Sequence, residues 1–235
     1  MKNKILILGG SSDIGIEVIK KLSKKNYKIS AQYSKNKKSL INFKGLKLIK
    51  LDFNKVNEKN CYKFIQKYFN CDYDCLINLV GYIDNKGFEN FDLKNITKSL
   101  TINTLFPLLI QQKIILGMKK RKYGRIINGS SIGVKFGGGK NTFNYSFAKH
   151  CMEFIPNSYK DWAKSNILIN NIRIGVTNTK IHNNIKKNLS MKKRLNLIPA
   201  KRMAEPNEIA NYITYLISEK NTYMTGQTIT VSGGE

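Results

Sequence analysis

Hydrophobic positions along this chain fall into two alternating rhythms. Short apolar runs of strand length are separated by stretches in which apolar residues recur three or four apart, the spacing of one helix face. "KILILGG" (4–10) predicts a first strand, "DIGIEVIKKLSKK" (13–25) a helix, "YKISAQYS" (27–34) a second strand and "LKLIKLDF" (46–53) a third. "NEKNCYKFIQKYF" (57–69) reads as a helix, and "DCLINLVG" (74–81) is a strand apolar enough to be buried on both faces. A long helix over "NITKSLTINTLFPLLIQQKIILGMKK" (95–120) precedes the strand "GRIINGSS" (124–131). A helix begins with "NYSFAKHCMEFI" (144–155) and continues past Pro156, which removes a backbone donor and kinks it. The strand "ILINNIRIG" (167–175), the helix "PNEIANYITYLIS" (206–218) and the strand "GQTITVSGG" (226–234) close the pattern. This alternation predicts an α/β fold: a doubly wound parallel sheet of about seven strands with helices on both faces.

The chain has 235 residues and 41% hydrophobic content, with no internal repeat, low-complexity tract or Pro/Ser linker, so a single domain over 1–235 is expected. The least regular piece, 177–206, reads as a flap over a site. No apolar run approaches the roughly 18 to 20 residues of a membrane span, and a strand starts too early to leave room for a signal peptide. A soluble, cytoplasmic protein with no membrane partner is expected. The cysteines (Cys61, Cys71, Cys75, Cys151) form no CxxC pair, and with only His150 and His182 beside them there is no zinc-like ligand set. Reduced thiols and no metal follow. The formal charge of +26 raises the question of nucleic acid, but the lysines are spread along the whole chain and no recognition-helix, zinc-finger or RNA-binding signature accompanies them. Weak, salt-sensitive adhesion to polyanions is expected in place of dedicated nucleic-acid binding.

Candidate chemistry starts where the first strand meets the first helix. Gly9, Gly10 and Gly15 lie in that turn, where glycines permit close backbone approach and the helix N-terminus favours a phosphate. Further motifs follow in order: "LDF" with Asp52 and Phe53, "NLVG" from Asn78 to Gly81, Asn103 in "TINTL", Ser130 and Ser131 in "NGSS", and Tyr145 and Lys149 in "YSFAK". "IGVTNTKI" then brings Gly175, Thr177 and Thr179. In this order and spacing the chain resembles the short-chain dehydrogenase/reductase family over essentially its full length, and is similar to its 3-oxoacyl carrier-protein reductases. The family's TGxxxGxG turn is here Leu8 to Gly15, with Leu8 for the threonine and Asp13 for the middle glycine; the Asp13 carboxylate is expected to turn away, towards helix N–H groups. Ile174 replaces a family proline. The resemblance implies a Rossmann-type fold and a dinucleotide held by Gly9, Ser11, Ser12, Ile14, Gly15, Ser34, Lys35, Asp52, Phe53, Asn78, Gly81, Tyr145, Lys149, Gly175, Thr177 and Thr179.

The same resemblance implies a catalytic set of Asn103, Ser131, Tyr145 and Lys149. Tyrosine and lysine four apart share one helix face. A nearby ammonium favours the phenolate, so Lys149 is expected to lower the Tyr145 pKa and make it general acid in carbonyl reduction. Ser131 would hold the substrate oxygen, although Ser130 remains open as the alternative hydroxyl, since Ser131 and Tyr145 are fourteen positions apart, one more than the family's usual spacing. The backbone around Asn103 would anchor a water and Lys149 in a proton relay.

No acid stands at the end of the second strand, where "YSKNK" supplies Ser34, Lys35 and Lys37, so NADP (NADPH) is favoured over NAD. The leading expectation is an NADP-dependent oxidoreductase acting on a small-molecule or carrier-linked ketone, as a homodimer or homotetramer. A reductase of a sugar or specialised-metabolite ketone and a non-catalytic dinucleotide-binding sensor or scaffold stay open beside it. The basic flap and "KKRK" (119–122) would suit an acidic carrier or serve as a solvated face. In the flap, Ile181, Ile185, Leu189 and Met191 are spaced for a short amphipathic helix, with Lys186, Lys187, Lys192 and Lys193 outward.

Overall fold

The computed structural model describes residues 4–180 and 189–235. Seven strands form one sheet: β1 (Lys4–Leu8), β2 (Lys28–Tyr33), β3 (Lys47–Lys50), β4 (Cys75–Asn78), β5 (Gly124–Ser131), β6 (Ile167–Ile174) and β7 (Gln227–Val231). Their order is β3-β2-β1-β4-β5-β6-β7 and every adjacent pair is parallel. The order reverses between β1 and β4, the place where such sheets open a crevice at their carboxyl ends. Leu8 pairs with Asn78 and Asn78 with Asn128, so the ends of β1, β4 and β5 are level at that crevice.

The eight helices described are α1 (Asp13–Leu22), α2 (Cys61–Tyr68), α3 (Leu93–Leu100), α4 (Phe106–Arg121), α5 (Phe143–Met152), α6 (Tyr159–Lys164), α7 (Leu189–Leu197) and α8 (Pro206–Leu216). Alternation along the strands sends side chains into two cores. Ile5, Ile7, Ile77, Ile127 and Ile172 meet Val18, Ile19, Ile209, Ile213 and Leu216 of α1 and α8. On the other face Leu6, Leu8, Leu76, Ile126 and Ile169 meet Ile65, Phe106, Ile110, Ile114, Met118 and Trp162. Strands buried on both faces lose the polar alternation of half-exposed ones, which is why they read as continuous apolar runs.

Three expectations need correction. The long helix is α3 and α4 joined by a π-helical turn, Thr101–Leu105. Pro107 has no N–H to offer the carbonyl four residues back, that of Asn103, and the Phe106 N–H reaches back to Thr101. The whole stretch Leu93–Arg121, 29 residues, is long and apolar enough to cross a membrane by length and composition, contrary to the sequence reading; here Ile102, Phe106, Ile110, Ile114 and Met118 of that stretch are packed into the core. Finally, Pro156 does more than kink its helix: α5 ends at Met152 and α6 starts at Tyr159. Of the amphipathic flap helix, Ile181, Ile185, Lys186 and Lys187 lie outside the described residues, while α7 covers the remainder.

Candidate active site

The turn from β1 into α1 is shaped by contacts that exclude side chains. Gly9 has φ 72°, and a Cβ there would come 2.8 Å from the Leu79 carbonyl oxygen; one on Gly15 would come 2.7 Å from that of Gly10. Gln32 fixes the strand end, accepting from the Gly9 N–H at 2.8 Å and donating to the Leu51 carbonyl at 2.6 Å. Ser12 caps α1, its hydroxyl accepting from the Gly15 N–H at 3.1 Å and donating to the Gly9 carbonyl at 2.8 Å. Ser11, Ser12 and Ile14 thereby line a cavity of about 280 Å³ at the positive end of the α1 dipole. Asp13 also borders it. Its carboxylate accepts from the Lys180 N–H at 2.7 Å, with the Lys180 ammonium 3.5 Å away, so it is neutralised across the crevice and does not cap its own helix as expected.

The same cavity is bounded by Gly81, Gly129, Ser131, Tyr145, Lys149, Gly175, Thr177 and Thr179, so β5, α5 and the segments that follow β1, β4 and β6 all deliver residues to it. Lys149 is buried, its ammonium donating to the carbonyls of Val80 at 2.7 Å and Gly129 at 2.6 Å. Burial lowers its pKa to about 8. The ammonium lies 5.8 Å from the centre of the Tyr145 ring. Tyr145 moves the other way: burial raises it to about 12, against the lowering effect of a hydrogen bond with Ser131. The expected depression of Tyr145 by Lys149 does not occur: burial sets the direction, Ser131 alone opposes it, and the phenol is held as a proton donor.

A second cavity, of about 570 Å³, opens on the far side of Tyr145 and Ser131 and is also lined by Ile83, Phe136, Ile174 and Leu197. Tyr145 and Ser131 thus stand in the wall common to both spaces. The longer Ser131-to-Tyr145 spacing is absorbed after the short 3-10 helix Ile132–Phe136, where Gly137 and Gly138 take φ 68° and 88°. Ser130 is otherwise engaged, donating to a Glu153 carboxylate oxygen at 2.6 Å. Of the two hydroxyls, Ser131 is the one on both cavities with its bond to the phenol.

A family model described as Enoyl-(Acyl carrier protein) reductase matches residues 10–235. The chain belongs to the short-chain dehydrogenase/reductase family. It is 32% identical to the 3-oxoacyl-acyl-carrier-protein reductase FabG of Buchnera aphidicola subsp. Schizaphis graminum, over 99% of this chain and 97% of that one. Among solved structures it is similar to a 3-oxoacyl (acyl-carrier-protein) reductase from Agrobacterium tumefaciens C58 with NADP bound, at TM-score 0.86 and 18% identity over 99% of this chain and 94% of that one. It also matches 4-hydroxyisoleucine dehydrogenase complexed with NADH, at TM-score 0.85 and 22% identity over 99% and 98%. The chain is an NAD(P)-dependent enzyme of this family.

Within this short-chain reductase, the remaining candidates divide into those at the crevice and those beneath it. Ser34, Lys35 and Asp52 meet just past the ends of β2 and β3. Although burial acts to raise the Asp52 pKa, hydrogen bonds from Asn54 and Ser34 and the Lys35 charge bring it below its ordinary value. Asp52 caps the 3-10 helix Phe53–Lys55, accepting from the Asn54 N–H at 3.1 Å. Phe53 turns into the core, edge-on to Phe106 at 4.8 Å, which leaves only its backbone for a cofactor. Asn78 is fully buried and shapes the turn from below, accepting from the Val80 N–H at 3.2 Å. Asn103 is likewise buried; its amide brackets the Tyr82 backbone, accepting from the N–H at 2.8 Å and donating to the carbonyl at 3.0 Å, so only the backbone of the π turn is available to a relay.

Sequence reasoning passed over Glu153. Its carboxylate forms a two-point pair with Arg173, at 2.7 and 2.6 Å, while also accepting from Ser130. Glu153 therefore ties the end of α5 to β5 and β6, the elements that carry the reactive residues. No local pattern signals it, because Arg173 lies 20 positions away on another element.

Proposed function

We propose that this chain is an NADPH-dependent reductase that converts a ketone into a secondary alcohol, with 3-oxoacyl thioesters as the substrate class. The observation that carries the reading is the Tyr145 phenol, bonded to Ser131 in the wall shared by two cavities, with the Lys149 ammonium behind it. The residues present fit a nicotinamide dinucleotide: a glycine cradle closed to any Cβ, an N-terminal helix turn facing the cavity, and an acid diverted to Lys180. Gly9, Ser11, Ser12, Ile14 and Gly15 would hold its pyrophosphate, and Lys149 its nicotinamide ribose. Ser34 and Lys35, with no acid at the end of β2, support the 2′-phosphate and thus NADP. When bound, the cofactor supplies the hydride.

The chain's own residues supply position and a proton. Ser131 and Tyr145 donate hydrogen bonds to the ketone oxygen in the second cavity. As negative charge builds on that oxygen, Tyr145 passes it the phenolic proton, and the Lys149 charge stabilises the phenolate left behind. Apolar walls at Ile83 and Ile174 keep water from the reacting carbon. The substrate class is supported by the similarity to the Buchnera enzyme. A homodimer or homotetramer is supported by Leu105, Leu116, Phe147 and Phe154, apolar and exposed in the chain alone.

The test measures cofactor oxidation by the purified protein with NADPH or NADH and a panel of acetoacetyl-CoA, carrier-linked 3-oxoacyl chains and free ketones. Turnover of the thioesters with preference for NADPH is expected. Turnover of sugar or other free ketones alone would move the assignment to the small-ketone reading. Tight NADPH binding without turnover of any ketone would favour a non-catalytic dinucleotide-binding role.

A further inference from the structure

The second cavity has a wall that proton transfer by Tyr145 leaves unexplained. Glu235 lines it, with its side chain only 4% exposed. One carboxylate oxygen, Oε1, pairs with the Arg194 guanidinium of α7, which lies 5.9 Å from the centre of the Phe136 ring on the same cavity. The other, Oε2, is buried with no hydrogen-bond partner among the described residues. Ser146 of α5 also lines this cavity, and its hydroxyl is buried with no hydrogen-bond partner among the described residues. Buried acceptors are almost always satisfied, and leaving a charged one unsatisfied is costly.

The placement of Glu235 is built into the turn after β7. Gly233 and Gly234 take φ 68° and 96°, a conformation that side chains disfavour, and a Cβ on Gly234 would come 2.9 Å from Pro199. The Ala200 N–H donates to the Gly233 carbonyl at 3.0 Å, and the Ser232 hydroxyl to the Glu235 backbone carbonyl at 3.1 Å. The turn is thereby packed against 198–200, and Glu235 lines the cavity. Arg194 already supplies the countercharge, so the group that completes Oε2 need only be a neutral donor.

We propose that Glu235, steadied by Arg194, is a specificity-determining residue that selects ketones whose arm carries a neutral N–H or O–H donor over ketones with plain alkyl arms. This rests on the ketone-reductase reading and names a substrate feature of the same site. In Glu235→Gln the amide oxygen is held by Arg194, so the NH2 group faces the ligand and opposes a donor.

Two matched pairs of probes test it. One is acetoacetyl-N-acetylcysteamine, whose arm has an amide N–H, against S-pentyl acetothioacetate, whose arm has none. The other is 5-hydroxypentan-2-one against hexan-2-one. The wild-type enzyme is expected to favour the donor-bearing member by roughly tenfold or more in kcat/KM, chiefly through KM. Glu235→Gln and Glu235→Ala are expected to bring that ratio towards one, with folding checked by thermal melting. Equal kcat/KM for both members of each pair in the wild type overturns the proposal and leaves the reductase reading standing, as does a ratio that neither variant moves. Absence of turnover on all four probes and on the wider ketone panel overturns both.

Discussion

Replacing Tyr145 by Phe separates chemistry from folding. The ring and its packing stay, and the variant loses one hydroxyl and its hydrogen bond with Ser131. Ser131 keeps another partner, accepting from the Gly133 N–H at 3.1 Å, so no orphaned group remains. The stability cost is then about 1 kcal/mol or less, a fall in Tm of about 2–4 °C for a chain of this size. The rate cost is larger. Loss of a positioned general acid lowers turnover by about 10²- to 10⁴-fold, which at about 1.36 kcal/mol per decade adds roughly 2.7–5.4 kcal/mol to the barrier. The variant should therefore be folded, bind NADPH and turn over ketone at a hundredth of the wild-type rate or less. Thermal melting, fluorescence titration with NADPH and the absorbance loss of NADPH under saturating ketone measure the three quantities. A kcat within about threefold of wild type would remove Tyr145 from proton transfer, because the predicted loss is at least two decades.

Three further outcomes follow from the same geometry. Burial holds Lys149 near pKa 8 against an ordinary 10.5, so between those values the unfolded chain binds the proton that the folded one has released; apoprotein stability relative to Lys149→Met should rise from pH 8 to 9.5 by about 2 kcal/mol, and chemical denaturation showing a flat or falling difference would contradict it. Lys35→Asp should shift the NADPH-over-NADH preference towards NADH by about tenfold or more, the scale of a charge-assisted hydrogen bond; an unchanged ratio of the two kcat/KM values would assign Lys35 to the solvated surface. Glu153→Ala leaves Arg173 and Ser130 without their shared acceptor and should cost about 3 kcal/mol in denaturant unfolding, whereas a loss under about 1 kcal/mol would show that water replaces the carboxylate.

What the sequence made legible was what repeats or what lies close along the chain. Strands covered on both faces show themselves as apolar runs, and all seven were read within a few residues of their bounds. The glycine turn and the Tyr145/Lys149 pair were legible because each is a local spacing. Long-range polar contacts were hidden: nothing near Asp13 announces Lys180, and nothing near Glu153 announces Arg173. Phe53 reads from the sequence as a strand end but starts a 3-10 helix, since the two share the same apolar pattern, and its ring lies in the core. Pro156 was seen but underestimated, since a kink and a full break begin from the same missing N–H.

The central claim is hydride delivery to a ketone carbon at Tyr145, and isotope transfer tests it most directly. The protein is incubated with NADPH carrying deuterium at the transferable nicotinamide position and with acetoacetyl-CoA, and the product is analysed by mass spectrometry and chiral chromatography. A single stereoisomer of 3-hydroxybutyryl-CoA with one deuterium on the carbinol carbon is predicted, with at least a hundredfold less formed by Tyr145→Phe in the same time. Unreduced substrate, label-free product, or equal product from the Tyr145→Phe protein would contradict the account.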